Sequence, residues 1–186
     1  MHYSPCSTLM LRLRKIEPTD LPFLYQWEND ATMWADSDTH NPLSRHDLRQ
    51  YIESSTGDIY RDGQLRLIIE SGDNFSVMPQ NATTSILGCI DLFDFDARNR
   101  KAAIGMYIAP HARGNGVGKE SVKLLMDYAF GYLQLRMIYA IIAVNNTACS
   151  HIYEHMGFAS SSLLRAWTLE GDAILWQKIN NDIIKN

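Results

Sequence analysis

Apolar and polar positions alternate from Leu9 to Ile16, with Leu9, Leu11 and Leu13 set against Arg12 and Arg14. This period of two predicts a half-buried strand. Thr19 is placed to cap a helix with Asp20 and Pro22 in its first turn, running to about Asn29. Asp30 to Pro42 has no clear period. Ser44 and Asp47 then form a capping box ahead of a helical stripe of Leu48, Tyr51 and Ile52. Leu65 to Glu70 reads as a strand, and Ser71 to Thr84 as a polar loop. Ser85 to Phe95 and Lys101 to Ala109 predict an antiparallel pair across Asp96 to Arg100. Val117, Ser121, Leu124, Leu125, Tyr128 and Tyr132 recur at helical spacing. Met137 to Ala143 is strand-like and Asn146 to Met156 a short helix. Phe158 to Leu169 and Ala173 to Ile179 close the chain as two strands, turning at Glu170-Gly171-Asp172. With no internal repeat, low-complexity tract or linker, this order predicts one α+β domain over residues 1–186.

A length of 186 residues suits one domain with a real core, and 46% hydrophobic with 20% charged residues are globular values. The net charge of −4 argues against nucleic acid as a partner and favours a cationic one. Cys6, Cys89 and Cys149 are too scattered for a disulfide framework, which suits a reducing compartment. No apolar run approaches membrane-spanning length, and Arg12 and Arg14 interrupt the apolar start. The expectation is a cytoplasmic protein with no membrane partner.

Chemistry concentrates after the strand ending at Ala109-Pro110, where Arg113-Gly114-Asn115-Gly116-Val117-Gly118 leads into a helix. A glycine-rich turn at a helix start offers free N–H groups at the positive end of the helix dipole, a site suited to phosphate. A P-loop is excluded because Glu120 follows Lys119 and Arg113 falls where the first glycine is required. A dinucleotide fingerprint is excluded because the glycines are spaced two and two. Farther on, Asn146 and Tyr153 are seven apart, about two full helical turns, so they share a face with Cys149 between them. Ala148, Ile152 and Met156 form the neighbouring apolar row, expected to pack on the sheet. His151-Ile152-Tyr153-Glu154-His155 matches an inverted zinc-protease signature, but only Glu170 and Asp172 follow as further carboxylates, and no metal is expected.

The R-x-x-G-x-G turn, Arg113 to Gly118, and the block Asn145-Asn146-Thr147-Ala148 to Tyr153-Glu154-His155-Met156-Gly157-Phe158 together resemble the GNAT superfamily of N-acetyltransferases. The resemblance is sharp over 86–158. It implies a mixed, mostly antiparallel twisted sheet of about seven strands flanked by about four helices. It also implies acetyl-coenzyme A as cosubstrate, its pyrophosphate on Arg113, Gly114, Asn115, Gly116, Val117, Gly118 and Lys119. The pantetheine arm would pair like an added strand with Tyr107, Ile108 and Ala109 and meet Asn146. Tyr153 takes the role of general acid to the leaving thiolate, and Cys149 that of a small buried hydrophobe. Relatives carry an acid where this chain has Ala103, so the base is open, with Asp91 and Asp94 as candidates.

The acceptor is expected to be a small-molecule amine. Trp27-Glu28-Asn29-Asp30 and Met126 to Phe130 look closest to the polyamine (spermidine/spermine) acetyltransferases. Glu28, Asp30, Asp91 and Asp94 are the expected acceptor contacts, joined by Asp36 and Asp38 beside Trp27 and Trp34. The alternatives are an acetyltransferase of ribosomal-protein N-termini and a non-catalytic acyl-coenzyme A-binding module. Whether the chain forms a homo-oligomer is left open.

Overall fold

The computed structural model describes residues 10–30, 41–72, 85–169 and 171–184. Leu9, most of the loop over 73–84, Trp34, Asp36, Asp38 and Glu170 lie outside the described residues. Seven strands form one sheet: β1 (Leu11–Lys15), β2 (Leu65–Ser71), β3 (Ser85–Asp96), β4 (Lys101–Ile108), β5 (Met137–Ala143), β6 (Ala159–Thr168) and β7 (Gly171–Ile179). Their order is β1-β2-β3-β4-β5-β7-β6, and every pair is antiparallel except β4 and β5. The helices are α1 (Leu21–Glu28), α2 (Arg45–Ser54), α3 (Ile59–Asp62), α4 (Val117–Asp127), α5 (Thr147–His155) and α6 (Asn181–Ile184). This is the mixed, mostly antiparallel α+β architecture the sequence predicts. The pieces it did not predict, α3 and α6, are too short to show a period. Among the described residues no helix is long and apolar enough to cross a membrane.

Alternation along the strands sets the layers. Leu65, Leu67 and Ile69 of β2 face the larger core, with Ile90, Leu92, Ile104, Ile138, Val122 and Leu125 of α4, and Tyr153 of α5. Ile68 of β2 faces the other way, into a second core with Cys89, Leu24 and Trp27 of α1, and Leu48 and Ile52 of α2. On that second face the charges are paired, as burial requires. Arg14 forks Asp20 at 2.6 and 2.7 Å and also meets Glu70, which Arg12 holds at 2.8 Å. Asp20 and Glu70 are almost fully buried.

Two local expectations need correction, and one holds. Thr19 does not cap α1. The chain enters through a tight turn over Pro18–Asp20, and the Asp20 carboxylate accepts the Glu17 N–H at 2.8 Å because it is already drawn inward by Arg14. The capping box of α2 is as expected, with Ser44 Oγ accepting the Asp47 N–H and Asp47 accepting the Ser44 N–H. Tyr132 does not join the apolar stripe of α4. That helix ends at Asp127 and continues as a wider π turn over Tyr128–Tyr132. The changed rotation carries Tyr132 off the buried face to 77% exposure, stacked on Tyr128 with centroids 5.3 Å apart.

A bulge in β3 fixes the approach of β4. Ile69 faces Gly88 but Glu70 faces Ile86, so Leu87 is the extra residue. Gly88 has φ +154°, and a Cβ there would lie 2.1 Å from the Tyr107 carbonyl oxygen. Only glycine lets β3 come this close to β4.

Candidate active site

β4 and β5 hold together over three pairs, Lys101↔Met137, Ala102↔Ile138 and Ala103↔Tyr139, and then part. From Ile104 onward β4 keeps β3 on one side and has no strand on the other among the described residues. α4 begins after the carboxyl end of β4 and α5 after that of β5, so both helices start at the open end of the parallel pair. Ligands of open sheets bind at such carboxyl-end crevices.

The glycine turn stands at this opening. Gly114 and Gly116 take φ of +77° and +78°, which glycine adopts without strain. Gly116 caps α4 without a side chain, and the first helical bond runs from the Glu120 N–H to the Gly116 carbonyl at 3.1 Å. The N–H groups of Val117, Gly118 and Lys119 have no partner among the described residues. A Cβ on Gly114 or Gly116 would meet nothing within 4 Å, so the space before these donors is open. Unpaired donors at a positive helix end, facing open space, fit a pyrophosphate. Arg113 braces the turn: its Nε donates to the Ile108 carbonyl at 2.9 Å and its guanidinium lies 5.9 Å from the centre of the Tyr107 ring. Asn115 Nδ2 donates to the Arg113 carbonyl at 3.2 Å. The Ala109 N–H is spent on Leu87 at 2.8 Å, on the β3 side.

On α5, Asn146 is the N-cap, its Oδ1 accepting the Cys149 N–H at 3.1 Å. Its Nδ2 has no protein partner among the described residues. Cys149, Ile152 and Met156 pack against the larger core, whereas Ala148 is exposed, contrary to expectation. The first turn of α5 contributes little to the core, which the helix reaches from Cys149 on. Tyr153 is 2% exposed, its ring edge-on to Phe158 at 4.8 Å and 84°. Its hydroxyl has no partner among the described residues. Burial pushes this hydroxyl well above the ordinary tyrosine range, and Cys149 acts in the same direction. Tyr153 is therefore protonated at neutral pH.

The second face of the sheet brings some of the expected acceptor residues together and leaves others apart. Trp27 of α1 packs on Tyr107 of β4 with centroids 5.2 Å apart. Arg66 of β2, not anticipated from the sequence, binds Asp91 of β3 through Nε at 3.0 and 3.1 Å and Nη2 at 2.7 Å. Its Nη1 donates to Glu28 of α1. Tyr51 of α2 lies over the same guanidinium at 5.7 Å. Asp30 is half-buried and acts on Tyr107, whose hydroxyl is raised first by burial, then by Asp30, with Arg113 opposing. Asp94 is separate. It is exposed at a second bulge that loosens the end of the β3–β4 ladder, at φ +48°, and its charge acts on Tyr139. Arg66 was legible in principle as a charged residue set between Leu65 and Leu67 of a largely apolar strand.

The two histidines of the zinc-like signature are exposed. His155 Nδ1 is 2.7 Å from the His151 carbonyl, and His151 lies 3.7 Å from Glu154.

The site is thus one parallel strand pair that opens beside the starts of two helices, one of them led by a glycine turn. At 22% identity, covering 94% of this chain and 98% of the other, the structure matches with a TM-score of 0.78 the crystal structure of spermidine N-acetyltransferase from Vibrio cholerae in complex with CoA and spermine. The fold is thus shared. The chain belongs to the GNAT acetyltransferase family, whose model, described as an acetyltransferase (GNAT) domain, matches residues 10–159, and it is an acetyltransferase. It is 26% identical to spermidine N(1)-acetyltransferase of Vibrio cholerae over 157 residues, 83% of this chain and 82% of that one. The spermidine N(1)-acetyltransferase of Escherichia coli K12 is also 26% identical, over 152 residues, 80% of this chain and 73% of that one.

Proposed function

We propose that this protein moves the acetyl group of acetyl-coenzyme A to a primary amine, with a polyamine such as spermidine or spermine as acceptor. The observation that carries this reading is the opening between β4 and β5, with the starts of α4 and α5 at its mouth and the Trp27–Tyr107 contact and the Asp91 carboxylate on the other face of the sheet. The likeness to two spermidine acetyltransferases over about four fifths of the chain supports the acceptor class.

The free N–H groups of Val117, Gly118 and Lys119 hold the cosubstrate's pyrophosphate, within the turn Arg113 to Lys119. The stretch of β4 that has parted from β5, up to Ile108, receives the pantetheine on its side away from β3, and Asn146 Nδ2 supplies a further donor. The neutral amine attacks the thioester carbonyl directly, and Tyr153 gives its proton to the departing thiolate. Ala103 carries no acid, and Arg66 occupies both Asp91 oxygens, so proton removal from the amine falls to water in the cleft.

The pH dependence tests this division of labour. A primary amine has a pKa of about 10 and is mostly cationic at neutral pH, so raising the pH supplies more nucleophile. The Tyr153 hydroxyl, held above the ordinary tyrosine range, keeps its proton over the same interval. With saturating spermidine, kcat should hold or rise from about pH 7 to 9.5 with no descending limb. A fall in kcat centred below about pH 9 would contradict a buried tyrosine as the acid.

A further inference from the structure

Tyr153 is the third residue from the end of α5, in the last turn, where helices fray. The helix is stopped by Gly157, at φ +75°. The Gly157 N–H donates to the Glu154 carbonyl at 2.9 Å, and the Phe158 N–H to the Tyr153 carbonyl at 3.0 Å. These two bonds are the glycine-led stop that closes many helices. Phe158 thus touches Tyr153 twice, through this N–H and through its ring, edge-on to the tyrosine ring.

The peptide plane that carries the Phe158 N–H also carries the Gly157 carbonyl, pointing the opposite way. Lys178 of β7 donates from Nζ to that carbonyl at 3.2 Å. Ile174 and Trp176 of β7 pack in the larger core, so alternation puts Lys178 on the face that α5 covers. Where β6 begins, Ala159 pairs with Gln177, which brings Lys178 alongside the link from α5. Among the described residues no carboxylate pairs with Lys178, and the Gly157 carbonyl is its one hydrogen-bond partner. A Cβ on Gly157 would lie 2.6 Å from Nζ, so the absent side chain leaves room for this contact.

We propose that Lys178 is a positioning residue for acetyl transfer, holding Tyr153 in register by gripping the peptide between Gly157 and Phe158. This rests on the reading of Tyr153 as the general acid. One rigid plane is held at both ends, its oxygen by Lys178 and its N–H by the Tyr153 carbonyl. Fixing the oxygen fixes the direction of the N–H, and with it the backbone of Tyr153. The ammonium also meets the negative end of the helix dipole. Without it Tyr153 stays in the core, but the last turn is freer to fray. A reacting group misplaced by about 1 Å can cost about a hundredfold in rate.

The test is a double-mutant cycle between Lys178 and Tyr153. It is read in kcat with saturating acetyl-coenzyme A and the better acceptor of spermidine and a peptide with a basic N-terminus. Lys178→Met keeps the apolar stem, loses the ammonium, and should lower kcat at least about fivefold. The affinity for acetyl-coenzyme A should be unchanged in calorimetry. Lys178→Arg retains a donor for the carbonyl and should keep at least about half of the wild-type kcat. In a Tyr153→Phe background, which has no proton to place, Lys178→Met should change kcat by less than about twofold. A merely structural Lys178 predicts an equal loss in both backgrounds, in step with the melting temperature, and that result overturns the proposal. So does a Lys178→Met enzyme with kcat within about twofold of wild type, or a Lys178→Arg enzyme as slow as Lys178→Met. Tyr153→Phe alone with undiminished kcat would instead contradict the acid itself.

Discussion

Tyr153→Phe should lower kcat by at least about tenfold, and by up to about a thousandfold if no water substitutes as donor, within the range ordinary for a general acid. The ring stays packed on Phe158, and the lost hydroxyl has no protein partner among the described residues, so no buried group is orphaned. The melting temperature and the affinity for acetyl-coenzyme A should therefore barely change. This separation is the informative part. A defect in cofactor binding would appear in calorimetry, whereas loss of a proton donor appears in kcat and kcat/KM together. A kcat within twofold of wild type would remove Tyr153 from the chemistry.

Among the described glycines, Gly88→Ala should have the largest effect on stability. The new Cβ would lie 2.1 Å from the Tyr107 carbonyl oxygen, a backbone atom that cannot swing aside, at a φ of +154° that side-chain-bearing residues rarely adopt. Backbone strain of about 1–2 kcal/mol and overpacking of about 1–3 kcal/mol combine to roughly 2–5 kcal/mol. The damage should reach the site as well, because the displaced residue, Tyr107, carries the Trp27 contact and lies on the parted stretch of β4. Chemical denaturation should show a midpoint well below that of the wild type. An unchanged midpoint would mean that β3 and β4 do not approach as described.

What the sequence made legible is local, and what it hid is assembled across the chain. The glycine turn and the Asn146–Tyr153 helix each announce themselves within a dozen residues, because turn chemistry and helical spacing are short-range constraints. The strands were legible for the same reason, since alternation is a nearest-neighbour pattern. The Arg66 group joins residues 25 and 38 positions apart through three different elements, and no spacing rule brings them together. Asp91 and Asp94, equivalent as acids on one predicted strand, were separated by a bulge that changed the backbone between them. The π turn that turns Tyr132 outward is likewise a choice made by tertiary packing, since the sequence pattern itself continues helically.

The most direct measurement is acetyl-coenzyme A turnover with identification of the acetylated product, supplying spermidine, spermine and a peptide with a basic N-terminus, each at millimolar concentration. The account predicts acetylated spermidine and spermine with stoichiometric release of coenzyme A. It also predicts a spermidine KM that rises with ionic strength, because salt screens the exposed part of the acceptor's charge contacts. Robust acetylation of the peptide with none of spermidine would contradict the polyamine assignment and place the protein among the acetyltransferases of protein N-termini. Binding of acetyl-coenzyme A with no turnover of any acceptor would leave only an acyl-coenzyme A-binding module.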